Sequence, residues 1–448
     1  MKQLERLVRE TQREHRIPAL SVALRRNDRE LWTFQVGSSD ELTADSRFRI
    51  GSITKTFTAV LVLQARDAGL LGLDEPIAKY LDLPAHGDLT FRRLLSHTAG
   101  VQREPFGDLW DTLAAPDLSA LLTDLARAEA VHPPSRRFHY SNLGFALLGH
   151  AAARVFDSQW WPLVQARILQ PLGLTATTYE RPDAAVTGYL VDAYSDVAWP
   201  EPVLETGAIA PAAQLWSTAA DMALWAAFLA DPASVPGADA VLRPQTLEEM
   251  RWPHTTRHES VWYSSMGLGP MLYPQADHSI HIGHNGAMPG FLAAAFGRLG
   301  GPGNPGGLAV SVLSASGTAS AAIDLCHALL TEALAADPMD VAPWVPGQAP
   351  PADLRGLLGR WWGEGFEYVF RWRDGVLTAS GVDDPAWLEP ATFAPVPGEN
   401  GIYRTISGRE VGELLRVTRA DDGTPIRLHW ATYRFTRTQE TFDGTNRA

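Results

Sequence analysis

The stretch Phe48-Arg49-Ile50-Gly51-Ser52-Ile53-Thr54-Lys55 runs directly into Ala59-Val60-Leu61-Val62-Leu63, and its reading decides the fold. Residues 53–68 are apolar on nearly every side, which predicts a helix buried all round, with Gly69 as its natural C-cap. Ser52 then opens that helix and Lys55 lies in the same turn, the two Cβ atoms about 5–6 Å apart. Composition sharpens the pair. Lysine occurs only at Lys2, Lys55 and Lys79, against thirty-five arginines. An ammonium can lose its proton near neutral pH and a guanidinium cannot. A desolvated lysine one turn from a serine hydroxyl therefore reads as a general base for a nucleophile. The plainer alternative makes Ser52 an N-cap and Lys55 a solvated first-turn residue. The apolar helix opposes it, as does the poor fit of a cation to a helix N-terminus. That terminus also offers unpaired backbone N–H groups, Ser52's among them, to a developing oxyanion.

Two further stretches carry chemistry. Phe138-His139-Tyr140-Ser141-Asn142 follows Pro133-Pro134 and precedes an apolar helix, 143–155. A phenol there can project into a cleft, where a neighbouring lysine would lower its pKa and let it shuttle protons. The Asn142 amide can hold Lys55 or a substrate carbonyl. Packing for Tyr140 and helix capping for Asn142 are the competing readings. Gly283-His284-Asn285-Gly286-Ala287-Met288-Pro289-Gly290-Phe291 stands at the end of a predicted strand, 280–283. Its glycines, Gly286 among them, let a substrate backbone approach closely. His284 can donate a hydrogen bond, and the Ala287 N–H can complete an oxyanion hole with that of Ser52.

Around these stretches, a first helix (2–15) and two strands (20–25 and 30–36, turning at Asn27-Asp28) precede the motif. A helix-rich middle spans 74–255, with members at 89–97, 118–128, 142–156, 160–169 and 218–230. Strands return at 280–283, 291–298 and 308–313, and a last helix covers 318–334. Strands at both ends with helices between imply one mixed sheet and a helical lobe. Five prolines between 337 and 351 mark a linker. Beyond it, strand-like runs at 360–362, 368–372, 376–379 and 426–436, with hairpin turns at Asp374-Gly375 and Asp422-Gly423, read as a small β domain. The division is thus 1–337, a proline-rich linker 338–351, and 352–448.

The three motifs, in this order, resemble the Ser-x-x-Lys, Tyr-x-Asn and Lys-Thr-Gly set of the serine β-lactamase and penicillin-binding family. Leu94-Leu95-Ser96-His97-Thr98-Ala99-Gly100, Pro171-Leu172-Gly173-Leu174 and Trp216-Ser217-Thr218-Ala219-Ala220-Asp221 match it too, so the resemblance covers about 5–335. It is similar above all to the class C branch with its esterase and D-aminopeptidase relatives. The resemblance implies an α+β, β-lactamase/transpeptidase-like fold, an antiparallel sheet flanked by helices with the site between sheet and lobe. It implies Ser52 as nucleophile, Lys55 as activator, Tyr140 as proton shuttle and Asn142 as a substrate and lysine contact. It implies an acyl-enzyme serine hydrolase needing no cofactor. The last ninety-odd residues loosely resemble the small lipocalin-like domains attached to some members.

One departure matters. His284-Asn285-Gly286 stands where β-lactamases and DD-peptidases carry Lys-Thr-Gly, and histidine is mostly neutral near pH 7. The anchor for a substrate carboxylate is weakened, which favours an ester or a small amide or D-amino-acid peptide over an antibiotic. The alternatives are an acylated ligand-sensing or penicillin-binding module with little turnover, or a true β-lactamase. No glutamate presents itself as a deacylation base, so a class A route lacks support.

A net charge of −13 argues against nucleic acid and anionic membranes as partners. The single Cys326 forms no internal disulfide. With no leader-like or membrane-length apolar run, the expected location is cytoplasmic; nothing supports an oligomer. His278, His281 and His284 have a spacing that suggests zinc, but alternation on a strand sends 281 and 284 to opposite faces, so no metal is expected. His97 reads as structural. Trp110, Trp199, Trp262 and Tyr263 fall in loop-like regions as candidate substrate-shaping residues.

Overall fold

The computed structural model describes every residue except 28, 38–41, 259, 301–305, 319–320, 341–342, 364 and 442–448. The turn residue Asp28, and parts of the expected last helix and linker, lie outside the described residues. Eight strands form the main sheet in the order Trp32–Gly37, Ala19–Arg26, Leu308–Ser314, Phe291–Leu299, Ile280–Met288, Met271–Pro274, Ser265–Met266, Thr255–Thr256. Every pairing is antiparallel, so the sheet is not the mixed one expected from element order. Hairpins join its neighbours except where Ala19–Arg26 meets Leu308–Ser314: Ile280–Met288 and Phe291–Leu299, for example, meet through Pro289-Gly290, with Gly290 at φ +75°. The helical lobe is inserted between residues 37 and 255.

The sheet is buried on both faces, and alternation shows how. Along Phe291–Leu299, Ala293 and Ala295 join the core shared with the lobe, while Ala294 and Phe296 join the opposite core. Helix Ala219–Ala230 covers the first face; Lys2–Glu14 and Ala321–Ala336 cover the second. Among the described residues no helix is long and apolar enough to cross a membrane.

The helix Thr54–Asp67 is the axis of the first core, with Thr54 through Leu63 all buried. Its three threonines are buried too, and each finds a partner. Thr56 Oγ1 donates to Ile53 O at 2.7 Å and accepts from the Trp225 indole at 2.7 Å. Thr58 Oγ1 donates to Pro211 O at 2.7 Å and accepts from the Trp160 indole at 2.9 Å; Thr54 Oγ1 accepts from Leu215 N. Satisfied in this way, hydroxyls cost the core little. Phe57 stacks on Trp225 with ring centroids 3.9 Å apart. Phe57→Ala is expected to lower unfolding free energy by about 3–5 kcal/mol, measured by urea denaturation.

Two boundaries differ from expectation. Ser52 lies in the 3-10 turn Gly51–Ile53, ahead of the α-helix, because Gly51 adopts φ +50° to turn the chain beneath a strand. That strand, Ile280–Met288, extends five residues past the expected end and carries His284-Asn285-Gly286-Ala287. Its glycines depress strand propensity, yet the packing requires them, as the site shows.

The chain divides into two compact units, one of residues 1–300 continued by 306–339, the other covering the described residues from 340 on. The second is a closed antiparallel barrel of eight consecutive strands, sealed where Gly359–Gly363 pairs with Tyr433–Thr436. Asp374 and Gly375 (φ +51° and +78°) form the tight turn their dipeptide suggests. The stretch expected as one run, 426–436, is two strands broken at Ala431, φ +51°. Trp361, Tyr368, Phe370, Phe393, Trp430 and Phe435 fill its core.

Candidate active site

Two glycines let the third motif lie directly on the first. A Cβ on Gly286 would stand 1.9 Å from Ile50 O and 3.0 Å from Ser52 N; one on Gly51 would stand 2.7 Å from both N and O of Ala287. Backbone thus packs on backbone, which brings the Ala287 and Ser52 amides to one wall of the cleft. Gly51 is the residue here that sequence reading passed over. Ala287 pairs with Leu292 in the sheet register.

Lys55 is fully buried, its Nζ 3.0 Å from Ser52 Oγ, 2.6 Å from Asn142 Oδ1 and 2.9 Å from Ala212 O. Burial drives its pKa well below the ordinary lysine value; Glu104 opposes this shift and Arg103 adds to it. A neutral amine has two N–H bonds and one lone pair. Ala212 O and Asn142 Oδ1 can only accept, so they take the two N–H bonds. The lone pair is left for the Ser52 hydroxyl, the arrangement general-base activation needs.

Tyr140, Asn142 and Glu104 complete this side. Ser141 caps the helix Asn142–Val155, its Oγ accepting from Gly144 N at 2.9 Å, and so sets Tyr140 and Asn142 at the helix entrance. Lys55 Nζ lies 4.9 Å from the centre of the Tyr140 ring. The expectation that a lysine lowers the phenol's pKa is overturned. Burial raises it, and neighbouring Ser52, Arg103 and Arg257 only partly offset that. Asn142 is held at both ends, its Nδ2 donating to Glu104 Oε1 at 2.6 Å. A carboxylate only accepts, so Glu104 fixes which way the amide points.

His284 forms a wall and not an anchor. It is buried, its Nδ1 lies 2.5 Å from Asn285 O, and burial, reinforced by Lys55, lowers its pKa to about 3. Neutral, it has one N–H, and the Asn285 carbonyl takes it; the expected donation to substrate is therefore corrected. His281 turns to the opposite face, Nδ1 2.9 Å from His327 Nδ1. His97 supports the site: its ring stacks on Tyr140 at 4.3 Å and its Nδ1 accepts from Ser141 N at 3.1 Å.

A cleft of about 360 Å³ opens beside Ser52, lined by Leu109, Trp110, Leu204, Ile209, Met288 and Pro289 together with Arg103, Glu104 and Asn142. Of the four aromatic residues suggested for substrate shaping, only Trp110 is among its lining residues. Sequence reading missed Glu104, Arg103 and Ala212. Glu104 meets Asn142 across 38 residues and Ala212 meets Lys55 across 157, so no local spacing announces them.

A sheet with a helical lobe, carrying Ser-x-x-Lys where the two meet, defines the β-lactamase/transpeptidase-like fold. The chain belongs to the Beta-lactamase family, whose model matches residues 4–333, and residues 350–437 match a domain of unknown function, DUF7586. It is 32% identical to Beta-lactamase-like protein 2 of Dictyostelium discoideum over 49% of this chain and 44% of that one. The chain thus spans less than half the length of that relative. It is 29% identical to Penicillin-binding protein 4 of Amycolatopsis lactamdurans, over 79% of this chain and 95% of that one. Its structure resembles the D-amino acid amidase of Ochrobactrum anthropi, at TM-score 0.60 and 23% identity, over 75% of this chain and 98% of that one.

Proposed function

We propose that the chain is a serine hydrolase that works through an acyl-enzyme on an ester or a small amide. The carrying observation is the 3.0 Å contact of Lys55 Nζ with Ser52 Oγ; its other two partners are carbonyl oxygens, so once the amine is neutral they take both N–H bonds and its lone pair faces Ser52. Ser52 Oγ attacks the substrate carbonyl carbon as its proton passes to Lys55, and the Ser52 and Ala287 N–H groups receive the oxyanion. The acyl–leaving-group bond then breaks. The leaving group takes a proton through the Tyr140 hydroxyl, which returns to its protonated state at the expense of Lys55. Tyr140's raised pKa suits this role, since a phenol that stays protonated can relay a proton without standing as phenolate. Water then attacks the acyl carbon as its proton passes by the same route to Lys55; the bond from that carbon to Ser52 Oγ breaks, Ser52 Oγ takes the proton back from Lys55, and the acid leaves.

Two features support the substrate class. Position 284 carries no cation for a carboxylate, and the Glu104 carboxylate beside the cleft suits a substrate amine. Similarity to a penicillin-binding protein favours a second reading, a module that is acylated but does not turn over. A panel of p-nitrophenyl esters, D- and L-amino-acid amides and nitrocefin, with mass spectrometry of the Ser52 peptide, separates them. Sustained turnover of an ester or amide with an acyl adduct on Ser52, and slow nitrocefin cleavage, are expected. A single burst without steady state favours the second reading, and the absence of any adduct sinks both.

A further inference from the structure

We propose that the adjacent residues Arg103 and Glu104 are a positioning pair of opposed charges that sets the pH at which the Ser52–Lys55–Tyr140 chemistry operates, an inference that rests on the hydrolase reading above. The Arg103 guanidinium lies 4.8 Å from the centre of the Tyr140 ring. Glu104 is linked to Lys55 through one amide, with 2.6 Å from Glu104 Oε1 to Asn142 Nδ2 and 2.6 Å from Asn142 Oδ1 to Lys55 Nζ. The two side chains contact each other at 3.5 Å. Their backbone is held separately, because Arg103 O accepts from Asn142 N at 2.7 Å and from Leu143 N at 3.1 Å. Changing either side chain therefore leaves the loop attached to the helix N-terminus. Arg103 is also exposed, so its replacement opens no buried cavity.

The remaining groups facing this centre do not supply the same control. From the first motif come Ser52 and Lys55 themselves, and from the lobe His97, neutral through burial. The strand contributes His284, also neutral. Arg257 adds positive potential at Tyr140 and His284, but Glu104 and Arg103 are the charges that shift Lys55. Arg103 and Glu104 are thus the charged neighbours that act on Lys55 in opposite senses, one disfavouring the ammonium and the other favouring it.

The signs follow directly. Ser52 is activated only by neutral Lys55, so activity falls on the acid side as Lys55 takes a proton. Removing the cation in Arg103→Gln makes the ammonium easier to form and moves that acid limb to higher pH. Removing the anion in Glu104→Gln makes it harder to form and moves the limb to lower pH. On the acid limb the two variants are expected to differ by about tenfold in rate, the equivalent of one unit of relative displacement. A merely structural role for the loop would lower both rates without opposite displacement.

The limb is read from the pH dependence of Ser52 labelling by a fluorophosphonate, which needs no turnover, and from ester hydrolysis. Arg103→Lys should keep the wild-type limb, and the surface control Arg136→Gln should not move it. Thermal melting confirms that each variant is folded. Opposite displacements with rescue by Arg103→Lys support the pair. Labelling of Ser52 with no displacement, or with both variants displaced the same way, overturns the pair and leaves the hydrolase reading standing. A wild-type chain whose Ser52 is not labelled at any pH overturns both.

Discussion

Lys55→Arg is expected to lower kcat/KM for a p-nitrophenyl ester by about 10³-fold at every accessible pH, close to the loss in Ser52→Ala. The charge is kept, so the loss isolates proton transfer. Lys55 sits at zero exposure, and its burial disfavours an ammonium. A guanidinium keeps its proton in any surroundings and has no lone pair to offer Ser52. It could still donate to Ala212 O and Asn142 Oδ1, and the structural bonds would survive in part while the catalytic one would not. An arginine forced into this space also carries an uncompensated buried charge, so lost folding must be separated from lost chemistry. Lys55→Met removes the amine and keeps a stem of similar length. It is expected to lose the same activity while melting near the wild-type temperature. Substantial turnover in Lys55→Arg would mean that Ser52 gives its proton elsewhere.

What the sequence made legible, and what it hid, follows from how far each contact reaches. Ser52 and Lys55 share one turn, so spacing alone places them together. Tyr140, Asn142 and His284 come from distant segments, and a family's motif order located them where local chemistry could only offer alternatives. Glu104 has neither advantage. It lies outside the recognised motifs and acts through the Asn142 amide, so only the fold reveals that a carboxylate faces the cleft. Electrostatics were the least legible layer. A lysine beside a tyrosine reads as a cation that lowers the phenol's pKa, but burial lowers the lysine's pKa and raises the phenol's instead. His284 shows the same dependence on depth. Its neutrality was readable from its ordinary pKa, while the Asn285 carbonyl that takes its N–H was not. In the barrel, strands Ala391–Pro395, Ile402–Ser407 and Leu414–Arg419 escaped notice because only alternate residues face inward and the others are polar or partly exposed.

Gly286→Ala tests the wall rather than the base, and a loss of about 10²–10³-fold in kcat is expected, the size associated with removing one oxyanion donor. The added methyl would lie 1.9 Å from Ile50 O and 2.8 Å from Ile50 C. Both are backbone atoms, so no side-chain rotation relieves the clash. Either the Ile280–Met288 strand lifts from the Gly51–Ile53 turn or the turn shifts, and each separates the Ala287 N–H from that of Ser52. Lys55, Asn142 and Ala212 stand on other elements and keep their bonds. The variant should therefore retain a reactive base and lose the geometry that stabilises the tetrahedral intermediate. The pH position of its acid limb should stay at the wild-type value while its height falls, whereas Arg103→Gln and Glu104→Gln move the position. Wild-type kcat in a folded Gly286→Ala would show that the strand's approach to Ser52 is packing alone, and the oxyanion would then need other donors.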